Sequence, residues 1–402
     1  MKRRLAPSLL LLASLAAGSA GATSYVAMSD RALFEQAPAI AQVSVLSVGP
    51  APAQGAPSVD YIVVVERLLK GTIAGSTVVV RVAGGVGPDG WGLDVVGAPR
   101  LGLGDRAILF LVPRQDGTYG ILHMMLGAFY ELRAGGQHLA LRDLQDAREL
   151  GAGDGSEPAA LPRDFDRFAE WLAGGARDPG GDEGSGYLVA VPSRRLERLQ
   201  EAFALLRHER RRLRWFEDAV EWRLDRRAPD GSRRRLKEAL RAWTPVAGLR
   251  LAYGGRSDAE AGLATFDGVN VVTFGDAGEV IPGAFSCREG GVVAVGGPWF
   301  DPEVTAKSEP GAAGAAAIRI LGADIMLNDG ADCLLDGFEE VSREALMHEL
   351  GHTLGLGYAC GDSLTGICAG DADESVMRAL LPTDGRARRP GELERRRLAD
   401  PD

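Results

Sequence analysis

The stretch Ala345-Leu346-Met347-His348-Glu349-Leu350-Gly351-His352-Thr353-Leu354-Gly355-Leu356-Gly357-Tyr358 governs how the C-terminal half of the chain is read. Two histidines four residues apart fall on one face of a helix, one turn apart, where both imidazoles can reach a single tetrahedral Zn2+. Glu349 stands beside them, placed to take a proton from a water whose pKa the metal lowers to about 7. The spacing therefore predicts metal-assisted hydrolysis with Glu349 as general base. Coincidence is the competing explanation, and the scarcity of histidine, 5 in 402 residues, argues against it. Ala345, Leu346 and Leu350 supply apolar positions around the motif, and Gly355 and Gly357 predict its C-terminal end, where tight or left-handed backbone is needed.

Further along comes Ser375-Val376-Met377. Together with the string from His348 to Gly357, it resembles the metzincin metallopeptidases, and among them the matrixin-like group, over residues 214–382. The resemblance implies an α+β fold: a metzincin-like catalytic domain with a twisted mixed sheet and an active-site helix. It also implies a zinc-dependent endopeptidase that acts on a protein or peptide substrate with Zn2+ as its cofactor. By matching positions, His348 and His352 are metal ligands, Glu349 is the base, Gly355 the turning residue and Met377 the methionine of the turn beneath the metal. Residues 267–274 and 323–329 resemble family strands, the second being the edge strand along which an extended substrate pairs by its backbone.

One position departs from the family. Where its third ligand is histidine, or sometimes aspartate, this chain has Tyr358, and no histidine follows His352. A phenol has an ordinary pKa near 10, which a bound cation can lower, so Tyr358 is the first candidate, with Asp362 and then Cys360 as alternatives. Another zinc-peptidase class draws its third ligand from a glutamate on a later helix; Glu374 is the nearest, but residues 373–377 read as a turn. Tyr358 also motivates a competing expectation, a non-catalytic exported binding protein with a degenerate peptidase-like domain. Structural Ca2+ is a further implication of the resemblance, and Asp324, Asn328, Asp329, Asp332 and Asp336 offer oxygens for it. Their spacing fits no known calcium loop, so a solvated turn leading into the helix is expected instead.

At 402 residues the chain is long enough for two domains, and 46% hydrophobic with 25% charged residues is a globular composition. A formal charge of −10 argues against general affinity for nucleic acid or anionic membrane. Residues 1–22 read as a signal peptide, with basic Lys2, Arg3 and Arg4, an apolar stretch over 5–17 and the small-residue site Ala20-Gly21-Ala22. This predicts secretion or a periplasmic location, with no stable membrane insertion, because no segment is long and apolar enough to span.

Residues 23–145 read as an all-β domain: 40–46, 61–66, 77–82 and 107–112 are β-branched with period two, and none carries a catalytic pattern. A linker region over 146–190 is rich in Gly, Pro, Asp and Glu, broken by a helical pattern around Phe165, Phe168 and Trp171. The peptidase-like domain is expected over 191–385, opening with an amphipathic helix over 193–214, and 386–402 reads as a charged tail. Within it a helix through Leu236, Leu240 and Trp243 precedes strands at 249–253, 269–274, 292–295 and 318–327, then the helix at about 340–354.

All four cysteines, Cys287, Cys333, Cys360 and Cys368, lie in the last third, and an even number in an exported chain predicts two disulfides. Short spacing favours Cys360 with Cys368, which leaves Cys287 for Cys333. No cysteine precedes Cys287, so latency through a propeptide cysteine is excluded, and the N-terminal domain remains a candidate steric block over the cleft.

Overall fold

A computed structural model describes residues 22–52, 56–134, 136–144, 147–150, 161–176, 186–189, 213–258, 262–305, 318–337, 339–356, 375–377, 380–381 and 388–399. Strands of the first half are β1 (Ala22–Val26), β2 (Ala39–Pro50), β3 (Ser58–Lys70), β4 (Thr77–Ala83), β5 (Gly85–Val86), β6 (Gly92–Leu93), β7 (Arg106–Pro113), β8 (Tyr119–Ile121), β9 (Ala128–Ala134), β10 (Gln137–Leu141), β11 (Arg148–Leu150) and β12 (Arg163–Asp164). The second half adds β13 (Leu213–Arg214), β14 (Ala219–Asp225), β15 (Arg250–Ser257), β16 (Asn270–Phe274), β17 (Gly291–Thr305), β18 (Ile318–Leu327) and β19 (Leu380–Leu381). The described α-helices are α1 (Asp30–Gln36), α2 (Phe165–Ala173), α3 (Ser232–Ala247), α4 (Asp332–Gly337), α5 (Glu339–Thr353) and α6 (Glu392–Ala399).

The protein is α+β, with two sheets among the described residues. The first has eight strands in the order β12-β10-β9-β7-β2-β3-β4-β8. Its β-branched alternation does what period two predicts: Val43, Val45, Val63, Val78 and Val80 turn to one buried face. On the other face lies α2, whose Phe165, Phe168 and Leu172 are buried, with the Phe168 ring 4.8 Å from that of Phe129 on β9. The helical pattern within the expected linker is thus part of this layer's core.

The second sheet runs β15-β14-β16-β18-β17-β1-β11-β19. β14, β15, β16 and β18 pair in parallel, and β17 is antiparallel to β18. Of residues 323–329, expected as an edge strand, 323–327 lie instead on interior strand β18 between β16 and β17, and 328–329 follow its end. The reason is in their side chains: from Ala323 to Leu327 every residue is buried on both faces, as a central strand requires. The antiparallel strand β17 has an edge, and two pieces of the first half cover it: β1 pairs with Gly291–Gly296 and β6 with Trp299 and Phe300.

Strand pairing therefore does not follow the expected boundary near residue 145. β1 precedes the expected linker and β11 lies at its start, and both belong to the second sheet. Leu213 and Arg214, expected at the end of a helix, form β13, which pairs with β18; the rest of that amphipathic segment lies outside the described residues. The stretch 386–402, expected as a charged tail, contains α6 and buries Arg388 and Glu394. Arg388 lies 3.9 Å from Glu344, which is also buried, so pairing within the fold replaces hydration. Cys287 and Cys333 form the expected disulfide, joining the connection before β17 to α4, with a Cα–Cα distance of 6.3 Å. Cys360 and Cys368 lie outside the described residues, as does most of the signal segment, residues 1–21. No helix among the described residues is long and apolar enough to cross a membrane.

Two buried polar groups fasten the chain that follows β1. Asp30, the first residue of α1, is bonded to Arg142 (2.9 Å), Arg163 (3.0 Å) and Tyr187 (3.2 Å). Burial works to raise its pKa, but the Arg163 and Arg142 guanidiniums outweigh it and hold the carboxyl below its ordinary range. Asp30→Ala leaves both buried guanidiniums without that carboxylate, so it should cost about 3–5 kcal/mol in urea unfolding.

His123 joins the two sheets. Its Nε2–H donates to Gln36 Oε1 at 3.0 Å, while Nδ1 accepts from Val292 N at 3.5 Å on β17. Burial pushes its pKa down to about 4. The unfolded chain takes up this proton first, so the stability contribution is whole above pH 6.5 and is lost as the pH falls from 6.5 towards 4. At 1.4 kcal/mol per unit the loss is about 3 kcal/mol. The fall in unfolding free energy between pH 7.5 and 4.5 should be smaller in His123→Gln by that order.

Candidate functional site

Helix α5 carries the motif against α3 and beneath β1 and β17. Leu236, Ala239, Leu240 and Trp243 of α3 are buried, as their helical spacing predicts, and they share a core cluster with Met347 and Leu350 of α5 and with Leu354 just beyond it. Trp243 Nε1 donates to the Met347 carbonyl at 2.7 Å, and Trp215 Nε1 to the Thr353 carbonyl at 2.8 Å. Gly351 is where this packing closes: a Cβ there would run into the Met377 sulfur and the Trp243 ring. Gly355 follows the helix end at φ +95°, with the Leu213 carbonyl oxygen where a Cβ would otherwise stand.

His348, Glu349 and His352 are all buried, at 0%, 1% and 1% exposure. His348 Nδ1 donates to the Val376 carbonyl at 2.8 Å, and His352 Nδ1 to the Leu356 carbonyl at 2.7 Å. Each neutral ring is therefore held as the tautomer whose Nε2 bears a lone pair. Those two Nε2 atoms converge to 2.7 Å. Two lone pairs this close repel unless a proton or a cation lies between them; the donor type suits a borderline cation such as Zn2+, for which the two nitrogens would part to about 3.3 Å, the spacing of ligands about 2.0 Å from a tetrahedral ion.

Met377 and Val376 are brought to the site from a distant part of the sequence. Met377 N donates to Ser375 Oγ at 3.0 Å, and the Ser375 hydroxyl donates to buried Glu394 of α6. Glu394 also accepts from Gly391 N at 2.8 Å. The turn that orients His348 is thus anchored by the stretch read as a charged tail.

Glu349 has a partner that sequence reasoning missed. The Ser24 hydroxyl on β1 donates to Glu349 Oε1, across 325 positions of chain. Nothing in the sequence marks this serine. Neither the Val376 and Leu356 carbonyls nor Glu394 had a residue-level signal, because their roles lie in backbone placement and in a fold-dependent carboxylate.

Tyr358, Cys360, Asp362 and Glu374 all lie outside the described residues. No group of three or more His, Cys, Asp or Glu side chains among the described residues is arranged to hold a metal. This includes the oxygen-rich stretch considered for Ca2+. Asp324 is buried, accepting from Trp299 Nε1 and Val271 N at 3.0 Å each, and burial pushes its carboxyl up to about 7. Asn328 donates to the Gly283 and Val292 carbonyls, and Asp329 accepts from Asp276 N. These groups serve separate backbone partners, and the first two are core residues where a solvated turn was expected. No protein-family model matches the chain, and no curated protein matches it.

Gly351→Ala tests the packing beneath the motif. Overfilling a closed core of this kind costs about 1–3 kcal/mol, so the variant should melt earlier, and Gly351→Ala with Met377→Ala should recover part of the loss.

Proposed function

We propose that the protein is an exported zinc-dependent endopeptidase. The observation that carries this reading is the convergence of the His348 and His352 Nε2 atoms, with Glu349 at the intervening helical position. The metzincin resemblance is supported by the parallel order β15-β14-β16-β18 with antiparallel β17 beside it, and by Met377 packed under Gly351. His348 and His352 would hold the zinc, with Tyr358 as the third ligand and Asp362 or Cys360 as alternatives. The ion would supply Lewis-acid polarisation of the scissile carbonyl and would acidify the attacking water.

The residues do the rest. The Val376 and Leu356 carbonyls keep both imidazoles in one tautomer, so neither ring must reorient to bind. Glu349 takes the proton of the attacking water and returns it to the departing amine nitrogen, within a buried setting that strengthens its charge interactions.

Metal content is the deciding measurement. One zinc per purified chain, lost in His352→Ala and weakened in Tyr358→Phe, is expected; Glu349→Gln should keep the zinc and lose casein hydrolysis by about a hundredfold or more. Absence of zinc from the wild-type chain would sink the reading and leave the second one, a non-catalytic exported binding protein, which Tyr358 at the third-ligand position favours.

A further inference from the structure

The second sheet and the helices laid on it enclose a cavity of about 50 Å3. Leu224 of β14, Val272 of β16, Ile325 of β18 and Val293 of β17 line it from the sheet, and Leu334 of α4 and Leu346 of α5 line it from the helices. Leu346 is partly exposed, which gives the cavity a way to the surface. Space of this size takes about four water-sized positions, but a water needs two to four polar partners, and aliphatic walls withhold them. A short alkyl chain suits it better.

Two polar residues of α3, Ser232 and Arg235, border the same space. Ser232 is 4% exposed, and its hydroxyl has no hydrogen-bond partner among the described residues. Burying a hydroxyl in that state is costly unless a ligand completes it. Arg235 is also buried, and its guanidinium lies 3.7 Å from where a Cβ on Gly231, the residue at the helix cap, would stand. The N-terminal end of this 16-residue helix adds a positive potential of its own. Hydroxyl donor, guanidinium and helix end all favour an anion. The carboxylate that borders the cavity, Glu349, stands away from them: α3 packs on β15 and β14, whereas α5 packs on β17 and β1, with β16 and β18 between.

We propose that this cavity binds a short straight-chain carboxylate, its tail beneath β16 and β18 and its carboxylate on the Ser232 hydroxyl and the Arg235 guanidinium. The binding does not rest on the peptidase reading, although an occupant would adjoin Glu349. Each buried methylene raises affinity about fourfold, so the space available sets the preferred length, and about four carbons beyond the carboxylate fill it.

Calorimetric titration of the full chain with the straight-chain carboxylates from propanoate to heptanoate, and with pentanamide, reads both halves of the site. Affinity should rise about fourfold per carbon as far as pentanoate and then level off, and pentanamide, of the same shape without the charge, should bind at least about tenfold more weakly. Ser232→Ala should weaken pentanoate about tenfold and leave the melting temperature unchanged, because the hydroxyl gives up no partner within the described fold. Ala331→Leu, which enlarges a wall residue, should abolish pentanoate binding. Its circular dichroism melt shows whether it is folded; if it is not, the length series and Ser232→Ala decide alone.

A bound zinc would itself take a carboxylate, so each titration is repeated in His352→Ala. Pentanoate binding retained there, with or without zinc in the wild-type chain, upholds the cavity as the site. Binding lost in His352→Ala and unchanged in Ser232→Ala would assign pentanoate to the metal, overturning the proposal and leaving the peptidase reading in place. An affinity indifferent to chain length, equal binding of pentanamide, or no heat at millimolar pentanoate would overturn it as well.

Discussion

The hydrogen bond from His348 Nδ1 to the Val376 carbonyl ties together parts of the molecule that sequence keeps well apart. It sets the tautomer of one imidazole, and it does so only while the turn at Ser375–Met377 is held in place. That turn depends in turn on Glu394, which accepts from Ser375, and on Met377 resting against a glycine that leaves it room. Arg388, just before α6, then reaches back to Glu344 on the helix that carries His348. The circuit closes on itself, so a change at Glu394 should be felt at His348 without touching it. Buried polar groups in such a circuit are costly when broken, which is how a helix end far along the chain gains influence over a pair of ligand nitrogens.

A second constraint comes from the other terminus. The edge of an antiparallel strand presents unpaired N–H and C=O groups, and proteins cover such edges. Here the cover for β17 is taken from the first half of the chain, β1 along Gly291–Gly296 and β6 at Trp299 and Phe300. The consequence is that two regions that look separate by composition share one sheet. His123 and the Asp30 cluster strengthen the arrangement, each using a buried polar contact to fix the position of the segment that follows β1.

Much of this was legible from local pattern. Period-two runs at 40–46, 61–66, 77–82 and 107–112 fall on strands of the first sheet, and Leu236, Leu240 and Trp243 are buried along α3, because periodicity is a property of neighbouring residues. The helix expected at about 340–354 is α5, Glu339–Thr353, ended at Gly355 as its φ of +95° permits. Where the expectations failed, a long-range partner decided. Residues 323–327 lie on an interior strand because the neighbour on the far side, β17, is supplied by another stretch, and 386–402 is no simple tail because Glu394 and Arg388 find buried partners.

Sequence by itself determined the ligand-like histidines and the adjacent glutamate, since their spacing fixes their helical face whatever surrounds the helix. The α+β class also follows from residue type and periodicity, whereas spacing favoured the Cys287–Cys333 pairing without fixing it, and the fold brings those two sulfurs together. Only the tertiary structure decided which nitrogen of each histidine faces inward, because that choice belongs to backbone carbonyls at Val376 and Leu356. It alone placed Ser24 against Glu349, since no local rule relates residues 325 positions apart; their meeting depends on sheet order, and sheet order is set by which strands best cover one another's edges and faces.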